Sequence, residues 1–484
     1  MKTKQRRVGI TGTAAASDAR KAGTTVSRWK PDLSGAGRAK YLSLVESIRE
    51  AIASGELADD ERLPAQRAMA KLLGVNVATV TKAISEAGRL GLVVTRPGGG
   101  TRVVGAKRAA SATADEMRGI VDLSINIPPV ELVKPILDDI MATLARLRHS
   151  EQLFNYAPLG GAGRDRDAGG HWISARGLKP APERLIVTQG AHEGLFAALT
   201  AAIQPGDTVL CENLNYTGIR RLGELCRVTL VGIATDDGGM QPKALADACA
   251  KYSPKAIVCT PVTLNPTTAT QNLERRQAIL AIARRNSVTI IEDDIYGSIA
   301  GDDTPPLAAL WPEGVIYVCG LSKCVAPGLR VGYLSAPDRL MSRLRDALVL
   351  LSWTAPSLHG AVATEMINSG LADACARLHR DEALRRMALA KGILGKGLVA
   401  GPAATYHAWL PLPSAWLERD AVASFQRHGI LVSPAGHFVV GNRNAPAAVR
   451  ISLGATADAG ILERALRTIA DVLDRESMGL NSVV

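Results

Sequence analysis

A lysine set close to an arginine after an apolar run is the strongest chemical signal in this chain. Gly320-Leu321-Ser322-Lys323-Cys324-Val325-Ala326-Pro327-Gly328-Leu329-Arg330-Val331-Gly332-Tyr333 follows Val315-Ile316-Tyr317-Val318. Ligands of open α/β sheets gather beyond the carboxyl ends of strands, so both cations fall where a ligand would lie. A lysine amine there can form a Schiff base with an aldehyde, and an arginine can fork onto a phosphate. Aldehyde and phosphate together point to pyridoxal 5'-phosphate. A lysine near an arginine is by itself an ordinary surface feature, so independent partners must decide.

Three partners follow other strand-like runs. After 288–291 comes Glu292-Asp293-Asp294-Ile295-Tyr296, where an aspartate can keep a pyridine nitrogen protonated and Tyr296 can bond the phenolate oxygen of the ring. After 256–259, Asn265 of Leu264-Asn265-Pro266-Thr267 can donate a second bond to that oxygen. After 185–187, Gly190 and Ala191 open a helix whose free N–H groups suit an anion. An aspartate cap, a loop asparagine and a turn glycine explain each one singly. Four strand-end coincidences in this order are hard to explain together.

The elements that must position these residues can be read from the pattern. From Val121 onward, apolar runs at 184–188, 208–211, 256–259 and 288–291 alternate with Ala/Leu-rich helical stretches. That predicts a largely parallel α/β sheet over 121–484, with a small α+β lobe from about 335.

The N-terminal part reads differently. Residues 1–36 mix small and basic residues without apolar period and predict a mobile arm. Tyr41, Leu44, Val45, Ile48 and Ile52 share one helix face that stops at Gly55. A second helix is expected from Pro64 through Met69, Leu72 and Leu73 to Gly74, and a third, capped by Asn76, turns Val80, Ala83, Ile84 and Ala87 inward. Then 91–95 and 101–104 flank Arg96-Pro97-Gly98-Gly99-Gly100 as a hairpin with a basic tip. Three helices and a hairpin make 37–104 a winged helix-turn-helix. Its third helix offers Thr79, Thr81, Lys82 and Ser85 to a major groove, and its wing offers Arg96 and Arg102 to phosphates or a minor groove. Residues 105–120 have linker composition.

Charge separates the same two parts. Of 484 residues carrying a net +11, residues 1–110 hold 20 of the 57 Lys and Arg and 9 of the 46 Asp and Glu, so they account for the whole excess. An anion-binding module on a neutral body follows, with DNA as the anion. Seven cysteines without a CxxC pair argue against a disulfide framework or zinc site and for a reducing cytoplasm. The first residues lack the apolar core of a signal peptide, and no run of about eighteen apolar residues predicts a membrane span.

Leu63 to Arg67, Gly74 to Val80 and Gly91 to Thr101 resemble the DNA-binding domain of the GntR family of bacterial regulators. The resemblance adds Arg67 to the DNA-contacting set; Asn76-Val77 stands where the family usually has Ser-Arg. Residues of about 122–475 resemble fold-type I pyridoxal-phosphate enzymes of the aminotransferase class, through Ser-Lys-x-x-Ala-Pro-Gly-Leu-Arg-x-Gly-Tyr, Asn-Pro-Thr and Asp-Asp-x-Tyr. That resemblance implies that Lys323, preceded by Ser322, carries the cofactor and Asp293 pairs its nitrogen. Asn265 and Tyr296 would hold its phenolate oxygen, and Arg330 with Gly190 and Ala191 its phosphate. It further implies that Tyr216 stacks on the ring, Tyr156 reaches the neighbouring subunit's phosphate and Arg450 clamps a substrate carboxylate. Gly320 stands where many members have Ser or Thr, which would loosen phosphate binding, and Thr268 where Gly usually follows Asn-Pro-Thr, which would alter a turn.

The two parts together resemble the MocR (GabR-like) subfamily of GntR regulators. The resemblance implies a cytoplasmic head-to-tail homodimer that binds operator DNA and senses an amine or amino acid by external aldimine formation at Lys323. The alternative is a working aminotransferase with an accessory DNA-binding domain. A regulator is the better expectation, because an enzyme gains nothing from a complete reader helix and wing. A cofactor-free body used only for dimerisation does not account for Lys323, Asp293, Asn265 and Arg330.

Overall fold

The computed structural model describes residues 29, 31, 40–58, 60–89, 92–96, 100–104, 120–144, 150–441 and 444–480. The chain divides into two units, Met1–Gly119 and Ile120–Val484. The hairpin tip 97–99, the linker up to residue 119 and the basic arm apart from Trp29 and Pro31 lie outside the described residues.

In the first unit, α1 (Lys40–Ala53), α2 (Gln66–Leu72) and α3 (Val77–Arg89) surround one core. Leu44, Val45, Ile48 and Ile52 of α1 meet Val80, Ala83, Ile84 and Ala87 of α3, the two stripes that helical periodicity selects. Asn76 Oδ1 accepts from Ala78 N at 3.0 Å and caps α3. The arm is not wholly apart from this fold, because Trp29 is 6% exposed and packs in the same core. A lone indole has no period to betray it, yet it buries a large apolar surface.

One further expectation is corrected. The second helix begins at Gln66 rather than Pro64, since Leu63 N donates to Thr101 O at 2.8 Å and Arg62 bridges Arg102, which draws 62–63 into the wing. A residue before proline favours extended backbone, consistent with that role. Leu72, the last residue of this helix, is 53% exposed. The wing is the antiparallel pair β1 (Val93–Arg96) and β2 (Gly100–Val103), in register Val93↔Val103 through Arg96↔Gly100.

The second unit opens with β3 (Val121–Asp122). Its main sheet holds β4 (Leu185–Thr188), β5 (Thr208–Glu212), β6 (Thr229–Ile233), β9 (Ala256–Cys259), β10 (Thr289–Asp293), β11 (Val315–Gly320) and β12 (Gly332–Ser335); a small hairpin, β7 (Thr235–Asp236) and β8 (Gly239–Met240), stands apart. The order is β4-β12-β11-β10-β9-β5-β6. Only β12 runs antiparallel to its neighbours, so the expected parallel sheet is mixed at one strand. A parallel return needs a crossover of about a dozen residues or more, usually a helix, and the segment carrying Lys323 is too short and irregular for one. Buried apolar residues cover both faces of the sheet.

The small lobe is a sheet of β13 (His407–Pro411), β16 (Ala448–Ser452) and β15 (Ser433–Pro434), ordered β13-β16-β15, and helices 371–394, 418–427 and 459–480 complete it. It also takes up the first residues of the unit. β3 pairs in parallel with β14 (Ile430–Leu431), and Leu123 is fully buried among lobe residues. The lobe is therefore built from both ends of the body, not only from residues after about 335. All seven cysteines are unpaired and none is exposed. Among the described residues no helix is long and apolar enough to cross a membrane, and no cluster is arranged to hold a metal ion.

Candidate functional site

The carboxyl ends of β4, β5, β9, β10 and β11 deliver Ala191, Tyr216, Thr260, Asp293 and Lys323 to one cavity of about 520 Å³, closed on the other side by Ser433, Phe438 and Arg450 of the small lobe. Small-molecule sites commonly span about 300–1,000 Å³. Lys323 Nζ donates to the Asn126 carbonyl. Burial, helped by the positive charge of Arg450 and opposed by Asp293, lowers the lysine pKa to about 8.

Three neighbouring acids at the end of β10 have separate fates. Glu292 accepts from Leu307 N and Ala308 N at 2.8 Å each, and Asp294 is held by Arg176 Nε at 3.1 Å and Tyr317 OH at 2.8 Å. Asp293 alone lines the cavity. Burial raises its pKa to about 7, against a bond from Ile295 N and the charge of Lys323. It is a carboxylate in want of a cationic partner.

Arg450 and Asn265 are directly joined, with Arg450 Nη1 donating to Asn265 Oδ1 at 3.0 Å. Arg450 Nη2 also donates to Ser124 O and, at 3.2 Å, to Ser433 Oγ, while Nε is buried without a partner. Asn126 Nδ2 donates to Tyr296 OH at 2.8 Å and lies 3.1 Å from His407 Nδ1. Burial and nearby Arg450 lower the His407 pKa to about 3, so the ring is neutral, and its Nδ1 also lies 2.7 Å from Thr405 Oγ1. The Tyr296 phenol is raised well above its ordinary range by burial. Ser124, Asn126, His407 and Ser433 were not found in the sequence. They lie in short segments without a periodic pattern, far along the chain from their partners.

Gly190, at φ 83°, precedes the helix Ala191–Ala202, whose N-terminus has no side-chain cap. Only glycine takes this backbone region without penalty. Arg330 lies close by, donating through Nη2 to Gln189 O at 3.1 Å, so a cation and free N–H groups share one edge of the cavity. A Cβ on Gly320 would stand 3.3 Å from Ala191 N, so the hydroxyl absent from this position is missing beside that same helix start. Ser322 lines the cavity, as does Tyr216, whose ring meets the His192 ring edge-on at 6.0 Å.

Thr268 does not abolish the turn for which glycine was expected. It holds φ 65°, and its Oγ1 accepts from Gly401 N at 2.7 Å. A β-branched residue there is strained, and that bond helps to offset the strain. Tyr156 is not brought to the cavity; it is 86% exposed and lines a separate recess with Asn155 and Ser357.

The cavity fits pyridoxal 5'-phosphate in its donors and acceptors. A buried amine suits the aldehyde carbon, a lone buried carboxylate the ring nitrogen, and an uncapped helix with an arginine the phosphate. Asp293 also gives a pH prediction for cofactor-free protein. Its folded pKa is raised, so its contribution to stability is fully present below about pH 4 and is lost as pH rises to about 7. Asp293→Asn should remove that decline and stabilise the cofactor-free chain at pH 8 by on the order of 2 kcal/mol while weakening cofactor binding. Thermal melts from pH 5 to 8 would show parallel curves for the two proteins if this is wrong.

The first unit exposes a second set. Arg67, Thr81, Lys82 and Ser85 are exposed and Thr79 is half-buried. Thr81 Oγ1 donates to Gln66 Oε1 at 2.8 Å and Lys82 Nζ stands 4.1 Å from the Tyr41 ring centroid. Arg102 is engaged, donating through Nη1 to Asp60 O at 2.7 Å and pairing with Asp60 Oδ2 at 3.1 Å, which leaves less of it for DNA. Arg96 ends β1 opposite Gly100, and its side chain lies outside the described residues.

Two family descriptions match the chain: aminotransferase class I and II over residues 118–469, and bacterial regulatory proteins, gntR family, over 40–103. The HTH-type transcriptional regulator YdeF of Bacillus subtilis (strain 168) is 27% identical over 448 residues, covering 92% of this chain and 97% of that protein. The HTH-type pyridoxine biosynthesis transcriptional regulator PdxR of Corynebacterium glutamicum is 30% identical over 71% of this chain and 75% of its own length. Among solved structures, LysN, the alpha-aminoadipate aminotransferase of Thermus thermophilus, superposes with a TM-score of 0.68 at 23% identity, covering 78% of this chain and 97% of that one. At that identity the likeness speaks for the fold. The chain belongs to the aminotransferase class I and II family, joined in one polypeptide to a DNA-binding domain of the bacterial gntR regulatory proteins.

Proposed function

We propose that the chain is a cytoplasmic transcriptional regulator of the MocR kind that reads a small amine or amino acid at its cofactor cavity and answers on operator DNA. The observation that carries this reading is the coexistence, in one chain, of a winged helix and a cavity that retains Lys323, Asp293, Asn265, Tyr296, Arg330 and Arg450. Pyridoxal 5'-phosphate supplies, when bound, a carbon that exchanges one amine for another and a ring that withdraws electrons.

The chain's own residues supply the rest. Lys323 is the amine that would hold the cofactor; its lowered pKa leaves a share uncharged near neutral pH. Asp293 holds a proton at the ring nitrogen, and Asn265 with Tyr296 orients the phenolate oxygen. Arg330 and the Gly190–Ala191 backbone would hold the phosphate, and Ser322 and Tyr216 line the same cavity. Arg450 selects ligands bearing a carboxylate. Tyr156, outside its own cavity, suits a role in the partner's site within a head-to-tail homodimer. A ligand shifts DNA affinity only as far as it binds two states differently, and a coupling of about 1–3 kcal/mol suffices.

The test is direct. Purified protein should absorb in the near-visible through cofactor held at Lys323, change that absorbance with particular amines, and change its affinity for its own upstream DNA with the same amines. A colourless protein that takes up no added cofactor sinks the proposal. For the DNA arm, affinity should fall steeply with salt, and the Lys82→Ala, Arg96→Ala double variant should lose specific binding and flatten the salt slope by about 1 to 2. Unchanged binding in that variant removes the winged helix from the reading.

A second reading, an active aminotransferase, is favoured by one observation: a lysine brought to about pKa 8 beside the substrate position can move protons as well as hold a cofactor. Sustained keto-acid formation from an amino acid and a 2-oxo acid would favour it.

A further inference from the structure

Arg450 is already in use. Both hydrogens of Nη2 are committed, one to Ser124 O and one to Ser433 Oγ, and Nη1 gives one to Asn265 Oδ1. A carboxylate that forks onto a guanidinium needs two parallel N–H bonds, and each of the two edges able to provide them, Nε with Nη2 or Nη1 with Nη2, includes Nη2. The unpartnered, buried Nε points to the first edge as the one a ligand completes. Bidentate capture must therefore remove one of Nη2's present partners. These are not independent, because Ser433 Oγ donates to the Ser124 carbonyl at 2.8 Å. Displacing either one disturbs that carbonyl.

Ser124 is not an arbitrary place for such a disturbance. Its N and Oγ both donate to Asp122 Oδ1, at 2.8 and 2.6 Å, which straps it to β3. β3 is fixed by Val121 N to Gly429 O at 2.7 Å and Leu123 N to Leu431 O at 2.8 Å, and it begins two residues after the last residue of the DNA-binding unit. Two residues beyond Ser124, Asn126 meets Lys323 and Tyr296. One short stretch of backbone thus touches the carboxylate-binding arginine and the cofactor lysine and continues, in sequence, into the linker.

We propose that the Ser124 carbonyl gives way to a ligand carboxylate at Arg450, and that this exchange carries occupancy of the cavity into the chain leading to the DNA-binding unit. The proposal rests on the sensor reading above and adds its regulation: the carboxylate triggers the response, whereas the amine alone determines uptake. An amine without a carboxylate enters the cavity and leaves β3 in place. Ser433 acts as a positioning residue, tying Arg450 and Ser124 together until the ligand arrives.

The test uses full-length, cofactor-loaded protein and a panel of α- and ω-amino acids, each paired with the amine that lacks its carboxylate. Binding is followed by absorbance, and hydrogen exchange is measured at the Val121 and Leu123 amides. Amino acids that change the absorbance should speed exchange there by about fivefold or more, the low end of ordinary coupling between sites, and should shift affinity for upstream DNA. Their paired amines should change the absorbance and do neither. In Ser433→Ala, exchange at these amides should already be faster before ligand is added. Bound amino acids that leave exchange unchanged, or paired amines that speed it equally, overturn the proposal while leaving the sensor reading intact. If no member of the panel alters the absorbance, the sensor reading fails and the proposal falls with it.

Discussion

Lys323→Ala should give a colourless protein that holds no cofactor through a covalent bond and whose DNA affinity no longer responds to any amine. No other amine among the described residues is placed to substitute, since Lys323 is the lysine that lines the cavity. DNA affinity without effector should stay within about twofold of the parent protein, as for well-separated sites that act independently. Absorbance spectra before and after borohydride reduction, with a DNA-binding titration on the same sample, decide the matter. A persistent near-visible band that reduction fixes to another residue would refute the assignment of Lys323. Loss of DNA binding in this variant alone would mean that the cofactor maintains the reader's fold rather than reporting a ligand.

Arg450→Ala should raise the dissociation constant of carboxylate-bearing effectors by about 30-fold to several thousand-fold, the range that corresponds to about 2–5 kcal/mol for truncating one member of a buried charged pair. Amines without a carboxylate should bind as before, which separates lost recognition from a damaged cavity. Some loss of stability is also expected. Asn265 Oδ1 loses this donor, while the Ser124 carbonyl keeps the one from Ser433 Oγ, and an unsatisfied buried polar group costs about 1–3 kcal/mol. Arg450→Lys keeps the charge but not the fork, and it should recover stability better than it recovers effector binding. Equal loss of both kinds of ligand in both variants would show that Arg450 only holds the lobe in place.

Readability of this chain followed periodicity and strand ends. The stripes of α1 and α3 were legible because buried residues recur at helical spacing, and Asn76 because a cap sits just before the first turn. Gly190, Asn265, Asp293 and Lys323 were legible because each follows an apolar run, where a sheet presents ligands. The choice of Asp293 over its acidic neighbours gains a physical basis only in three dimensions, where Arg176 and Tyr317 claim Asp294 and two backbone N–H groups claim Glu292.

What escaped has a common cause. Ser124 and Asn126 sit in an irregular stretch whose contacts with Lys323, Arg450 and His407 span roughly two hundred residues or more of sequence. Trp29 lies in a segment without pattern, and the direction of β12 depends on the length and shape of the loop before it. Arg102 carries the right charge for DNA, and only the fold reveals that Asp60 holds it.

The pairing of β3 with β14 also bears on how such a chain can be assembled in evolution. The opening strand of the body is already committed to the lobe formed by its final third, so sequence inserted between Val121 and Leu123 would interrupt a sheet and a buried core. Recombination that brings a DNA reader to such a body must therefore leave this strand whole, which confines the joint to sequence before it.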